Sequence, residues 1–127
     1  MAGVILDSDA LLALINNTDI HHESIVNRIL RSDERLAISV VTYSEALVRP
    51  HEVNKADLAI TQINSRISEI FEVTRSIAIT AAKLRATSKM KLPDALIAAT
   101  AIEKGLTLVT FDEKLAKATP GAELLTS

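Results

Sequence analysis

The chain has 127 residues, a net charge of -2 and 48% apolar residues, which together exclude intrinsic disorder. No cysteine is present, so disulfide bonds, thiol catalysis, iron–sulfur clusters and zinc–cysteine sites are excluded. One Tyr and two Phe are the only aromatic residues, which argues against an aromatic stacking surface for single-stranded nucleic acid. We expect one domain, residues 1–127, with no signal peptide, no membrane contact and a cytoplasmic location.

Apolar patterning predicts alternating strands and helices along the chain. Ser8 and Asp9 are expected to cap the first helix, and Pro50 to end the third. Pro93 and Gly105 are expected to begin and end the sixth helix. In chain order, the predicted elements are a strand at 4–6, helices at 10–15 and 22–32, a strand at 36–40, helices at 42–48 and 55–67, a strand at 70–73, helices at 76–87 and 93–104, a strand at 107–110, a helix at 112–118 and a short strand at 122–125.

The predicted strands are unbroken apolar runs and do not alternate between apolar and polar residues. This pattern is typical of a parallel sheet that is covered on both faces by helices. The sequence therefore predicts an α/β fold with a parallel sheet of about five strands. In such sheets, ligands bind beyond the carboxyl ends of the strands.

Acidic residues follow the predicted strands at that edge. Asp7 ends the first strand, and Asp112 lies two residues beyond the fourth. Glu45 lies on the helix after the second strand, and Asp94 begins the helix that leads into the fourth. Crowded carboxylates disfavour each other's ionisation, and a divalent cation removes that cost. Mg²⁺ or Mn²⁺ is the expected cofactor because both prefer oxygen ligands, and one or two such ions activate water in phosphoryl transfer.

Each acid also has a structural interpretation. Asp9 is a helix cap, a metal ligand or a residue that supports the ligands; Asp94 could simply favour a helix N-terminus, and Asp112 could cap the last helix. Glu45 could be a solvated helix residue. Asp7 is the hardest to explain structurally, because it ends an apolar strand where a charge has no structural use.

Four segments resemble the PIN-domain nucleases, and most closely the VapC-like toxins of toxin–antitoxin pairs. They read VILDSDALL at 4–12, TYSEA at 42–46, LPDALIAA at 92–99 and LVTFD at 108–112. The resemblance covers essentially the whole chain, and the Pro-Asp-Ala-Leu-Ile-Ala-Ala segment is its most specific part. It implies a three-layer PIN-like fold and an Mg²⁺- or Mn²⁺-dependent endoribonuclease.

The resemblance also implies roles for particular residues. Asp7, Glu45, Asp94 and Asp112 match the family's acidic metal-binding positions, with Glu45 a ligand or a base that positions water. Thr110 matches a hydroxyl that orients the fourth acid. The expected partners are an RNA substrate, a cognate antitoxin that blocks the acidic site and a second copy of the chain. Helix 10–15 and much of 95–102 are apolar on all sides, which fits such a homodimer or simple burial under neighbouring helices.

Five basic residues and no acidic residue lie between Glu72 and Asp94. Arg85, Lys89 and Lys91 are therefore candidates for phosphate contacts beside the acidic site, although a solvated helix face explains them equally well. His21 and His22 are interpreted as surface or capping residues.

Three alternatives remain open at this stage. Asp7-Ser8-Asp9 after a strand resembles the Asp-x-Asp pair of haloacid-dehalogenase-like phosphatases, in which Asp7 would be the nucleophile. Receiver domains also place an acidic pair after the first strand, but they need an acid at the end of the third strand. Here Thr74 and Arg75 follow the third strand. The last alternative is a non-catalytic domain that only binds RNA or protein.

Overall fold

The computed structural model describes residues 3–126; Met1, Ala2 and Ser127, the ends of the predicted domain, lie outside the described residues. No helix between residues 3 and 126 is long and apolar enough to cross a membrane. The elements of this range, in order, are β1 (Gly3–Leu6), α1 (Ser8–Ile15), α2 (His22–Leu30), β2 (Arg35–Ser39), α3 (Val40–Glu52), α4 (Ala56–Arg66), β3 (Glu69–Phe71), α5 (Arg75–Ser88), α6 (Leu92–Lys104), β4 (Thr107–Thr110), α7 (Glu113–Ala118) and β5 (Glu123–Leu124).

The five strands form one parallel sheet in the order β3-β2-β1-β4-β5. The predicted α/β class and parallel sheet are confirmed. Receiver-like sheets have the order 2-1-3-4-5, so the receiver alternative is wrong. The chain leaves β1 in one direction towards β2 and β3, and in the other towards β4 and β5. Ligand sites in such sheets lie at the carboxyl ends of the strands where the direction changes, here between β1 and β4.

Side chains of β1 point alternately to the two faces of the sheet. Val4 and Leu6 pack in a core built with α1 to α4. Ile5 packs on the opposite face against α6 and α7, and α5 covers α6 from outside. All three side chains are at most 2% exposed. Burial on both faces explains why the strand is an unbroken apolar run, and the molecule has three layers.

Two helix boundaries differ from the prediction because of local capping. Asp7, and not the Ser8-Asp9 pair, caps α1 by accepting a hydrogen bond from the Ala10 backbone N–H at 3.0 Å. Ser39 ends β2 and caps α3, because its hydroxyl accepts a hydrogen bond from the Val41 backbone N–H at 3.0 Å. A side chain that caps a helix satisfies a free N–H group of the first turn, so each helix begins directly after its capping residue.

Pro50 does not end α3, which continues through it to Glu52. A proline removes only its own N–H donor, and the helix ends within the next turn. The Val53 and Lys55 backbone N–H groups then bond to the carbonyls of Arg49 and Pro50, at 3.2 Å and 2.8 Å.

The chain itself covers most of the two apolar helices. Four residues of α1 are buried, and α6 is buried from Ile97 to Ala101. Leu12 of α1 and Ile102 of α6 are partly exposed, at 36% and 39%. The apolar character of these helices is therefore explained by burial within one chain, and it does not require a second copy.

Candidate metal and phosphate site

One cavity of about 240 Å³ collects the predicted acids at the carboxyl edge of the sheet. The four acids that the sequence predicts as metal ligands and Asp9 all line it, although they come from four separate parts of the chain. The lining residues are Asp7, Ser8, Asp9, Glu45, Lys91, Pro93, Asp94 and Asp112.

Asp7 lies at the base of the cavity and is 5% exposed. One carboxylate oxygen accepts the capping bond from Ala10, and the other accepts a hydrogen bond of 2.5 Å from the Thr110 hydroxyl. Burial raises the pKa of Asp7 to about 6, and the neighbouring charges of Asp9 and Asp94 add to the rise. The two hydrogen bonds oppose it, because they favour the charged form.

Thr110 joins the acids of β1 and β4. Its buried hydroxyl donates to Asp7 and accepts from the Asp112 backbone N–H at 3.0 Å. Asp112 in turn caps α7, because its side chain accepts from the Leu115 backbone N–H at 3.1 Å. Thr110 thus holds the backbone at Asp112, while its proton is directed to Asp7.

Asp94 and Glu45 enter the cavity from helices on opposite faces of the sheet. Asp94 is in the first turn of α6. Burial is the largest cause of its raised pKa, and the charges of Asp112 and Glu45 raise the pKa further. The charge of Lys91 opposes this rise. Glu45 is exposed on α3 and accepts a hydrogen bond from the Ser8 hydroxyl. Sequence reasoning considered Ser8 only as a cap and missed this contact, which joins residues 37 positions apart.

Asp9 is exposed in the first turn of α1 and lines the cavity. The interpretation of Asp9 as a cap is wrong, because Asp7 occupies that position. Its charge instead contributes to the raised pKa of Asp7.

The donor set of the cavity fits a hard divalent cation. Carboxylate and hydroxyl oxygens line it, and the raised pKa values of Asp7 and Asp94 reflect unrelieved burial of negative charge. Within residues 3–126, no three His, Asp or Glu side chains already stand close enough together to form a ready-made metal site. Asp7, Glu45 and Asp112 each commit an oxygen to a hydrogen bond within the chain.

A second hollow of about 430 Å³ adjoins the acidic cavity and shares Asp94, Asp112 and Lys91 with it. Lys89 and Lys114 also line this hollow. Sequence reasoning missed Lys114, because it lies on α7, outside the acid-free stretch; its position two residues after Asp112 was the available signal.

Arg85 does not line either cavity. Its Nε donates to the Met90 carbonyl at 3.1 Å, which braces the loop that carries Lys89 and Lys91.

Comparison with known proteins identifies the family of the chain and its fold. The family model described as PIN domain matches residues 4–119, so the chain belongs to the PIN domain family. A toxin–antitoxin complex from Klebsiella pneumoniae is similar, with a TM-score of 0.80, 26% identity, and coverage of 95% of this chain and 96% of the other. No curated protein matches.

Two further structures share the fold. A DNA-bound VapBC from Salmonella typhimurium has a TM-score of 0.74 and 23% identity, covering 98% of this chain and 97% of the other. The sarcin–ricin loop cleaving toxin VapC20 from Mycobacterium tuberculosis has a TM-score of 0.73 and 16% identity, covering 91% and 95%.

Proposed function

We propose that the protein is a metal-dependent endoribonuclease that hydrolyses RNA phosphodiester bonds as the toxin of a toxin–antitoxin pair. The observation that carries this proposal is one cavity with five carboxylates, at the edge of the sheet where ligands bind. Two of those carboxylates, Asp7 and Asp94, have a raised pKa. Membership in the PIN family supports the assignment, as does the similar toxin–antitoxin complex.

In this proposal, Asp7, Asp94 and Asp112 hold Mg²⁺ or Mn²⁺, and Glu45 completes the ligand set or accepts the proton of the attacking water. The bound metal supplies an activated water and stabilises the charge that develops on the phosphate. The chain contributes positioning: Thr110 fixes Asp7, and the Ser8 hydroxyl holds Glu45.

Lys89, Lys91 and Lys114 are proposed to hold flanking phosphates, since they surround the hollow beside the acids. Arg85 acts on these contacts indirectly, through its bond to Met90. The metal and the lysines together would offset the negative charge of the cavity's carboxylates where the RNA binds.

We further propose an antitoxin partner and a homodimer. The antitoxin is supported by the toxin–antitoxin complex that this fold resembles. The homodimer follows from the family resemblance alone, because burial within the chain accounts for the apolar helices. Sedimentation equilibrium of the purified chain tests it: we expect twice the mass of one chain, and the mass of a single chain would contradict a dimer.

The decisive experiment is cleavage of a mixed structured RNA in Mn²⁺, Mg²⁺ or chelator. Wild type should cut only with metal, and Asp94→Asn should remain folded but not cut. Asp57→Asn is the matched control. Both Asp57 and Asp94 are in the first turn of a helix, α4 and α6, but Asp57 is exposed and lies outside the acidic cavity. RNA binding without cleavage by wild type would favour the non-catalytic alternative. Trapping of phosphate on Asp7 would favour the phosphatase alternative.

A further inference from the structure

Two aromatic rings stack beside the acidic cavity. The rings of His21 and Phe111 have centroids 4.1 Å apart and an angle of 21° between their planes. His21 lies in the α1–α2 connection and Phe111 directly follows β4, and both are half-buried. The interpretation of His21 as a surface or capping residue is therefore incomplete, and the low aromatic content, which argued against a stacking surface, does not prevent this local one. Phe111 directly precedes Asp112, and both residues line one hollow, so the ring lies next to the acidic cavity.

The ring pair borders a hollow of about 330 Å³ that shares Asp9 and Asp112 with the acidic cavity. The remaining lining residues are Leu12, Asp19, His21 and Phe111. The hollow therefore combines a flat aromatic surface, an aliphatic side chain and carboxylate acceptors. This combination suits a nucleobase, whose faces stack on aromatic rings and whose edges carry N–H donors.

We propose that this hollow binds the base of a nucleotide next to the scissile phosphate, stacked on the His21–Phe111 pair. This inference rests on the proposed ribonuclease function and adds a base-specific contact to it. The acidic lining favours bases with amino groups, which are adenine, cytosine and guanine, over uracil. Asp19 is the expected acceptor, and the His21 backbone N–H at 2.8 Å orients its carboxylate.

The position of the hollow fits the path of a single strand. The hollow lined by Lys89, Lys91 and Lys114 and the hollow beside the two rings both include Asp112, and both adjoin the acidic cavity. A strand that crosses the acids would contact the lysines through its phosphates and the ring pair through one neighbouring base, stacked on the outer face of the pair. Phosphate contacts give affinity without sequence preference, whereas the contact to a base gives selectivity.

The test couples one protein ring to one RNA base. The cut site of wild type on a short oligoribonucleotide is mapped first, and each flanking nucleotide is then replaced in turn by an abasic one. At one flanking position, we expect loss of the base to lower kcat/KM of wild type by roughly 5- to 150-fold. Phe111→Leu should already be slow on intact RNA and should lose little more on the abasic substrate.

Two variants separate stacking from a structural effect. Phe111→Tyr keeps the ring and should retain the full sensitivity to base removal. Phe71→Leu is the matched control, since it makes the same change at the other Phe, which lies in β3 under the Lys104 ammonium group. It should behave as wild type.

Two results would overturn the inference while leaving the ribonuclease proposal in place. One is a Phe111→Leu variant whose kcat/KM is lower than that of wild type by the same factor on intact RNA and on abasic RNA. The other is a wild type that cleaves RNA but is insensitive to base removal on either side of the cut. Absence of any cleavage by wild type would overturn both proposals together.

Discussion

The Asp7 carboxylate is stabilised by its hydrogen bonds and destabilised by its burial. Its side chain caps α1 and accepts a bond from Thr110, but its charge is buried beside other carboxylates. The hydrogen bonds favour the charged form and the burial disfavours it more strongly, so the pKa rises to about 6. In the absence of metal, the folded protein therefore carries a cost at neutral pH that comes from this one residue.

Asp7→Asn should relieve that cost and keep the cap, because an amide oxygen also accepts from Ala10. The folded state binds the proton of Asp7 more tightly than the unfolded state, so this contribution to stability is present at low pH and is lost as pH rises through about 6. The shift from 3.8 to about 6 corresponds to about 3 kcal/mol. In chelator at pH 7.5, we expect Asp7→Asn to be more stable than wild type by up to that amount in urea unfolding.

The same measurement at pH 4 should show a difference of only about 0.5 kcal/mol, because Asp7 is then protonated in the folded state and only about half ionised in the unfolded state. Asp57→Asn, which alters an exposed acid, should follow wild type at both pH values. A variant at position 7 that is less stable than wild type at neutral pH would contradict the picture of buried, unrelieved charge.

Ser8 should affect the reaction through Glu45 and should not affect folding. Its hydroxyl donates to the Glu45 carboxylate, which is otherwise an exposed helix residue free to turn into solvent. We expect Ser8→Ala to lower kcat for RNA by about 10-fold with little change in KM, which is the loss of one hydrogen bond to a charged group. Ser8→Thr should restore kcat, and a Ser8→Ala enzyme with unchanged kcat would exclude this role.

At the scale of elements, the sheet and its acidic edge were predictable, because both depend on local patterns. A strand buried on both faces must be apolar throughout, as Val4, Ile5 and Leu6 are. Parallel strands bring their carboxyl ends to one edge, so residues that follow different strands meet there. This geometric rule places Asp7 and Asp112 together without knowledge of any contact.

The contacts that orient the site were not predictable in this way. Ser8 and Glu45 are 37 positions apart, and His21 and Phe111 meet only because the α1–α2 connection folds over the end of β4. No local periodicity reports such a pairing. The end of α3 was misplaced for a different reason: Pro50 lies close enough to the C-terminus that the helix tolerates the missing donor.

Two lysines of helix α7 allow a direct test of the phosphate contacts proposed for the hollow that Lys89, Lys91 and Lys114 line. Lys114 lines that hollow, whereas Lys117 on the same helix lies 3.4 Å from Glu113 in an exposed ion pair. In the cleavage-inactive Asp94→Asn background, we expect Lys114→Gln to reduce the slope of log K against log salt for single-stranded RNA by about 0.7. Lys117→Gln should leave the slope unchanged, and equal effects of the two changes would argue against a specific phosphate contact.

At the scale of the whole molecule, the metal binding proposed for the acidic cavity should raise global stability. A ligand that binds only the folded state stabilises it by about 2.7 kcal/mol at 100 times its dissociation constant. For a chain of this length we expect Mn²⁺ to raise Tm by several degrees above the value in chelator.

Asp94→Asn should abolish most of that rise while keeping a similar Tm in chelator or increasing it, since burial already raises the pKa of Asp94. The rise in Tm with Mn²⁺ is compared with the rise in Tm with Ca²⁺, which also takes oxygen ligands but tolerates a wider range of geometries. A Tm that is the same with and without Mn²⁺ would contradict a metal site in the cavity.

The double role of Asp7 and Asp112 as helix caps and site acids also limits how the gene can decay. Losing a side-chain cap costs about 0.5–2 kcal/mol, so Ala at either position should give a less stable fold than Asn, by about that amount. Asn or Ser would remove the carboxylate and keep the cap. In lineages where selection for activity has lapsed, folded descendants should therefore drift to Asn, Ser or Thr at these two positions, while position 94, which caps no helix, accepts a broader range.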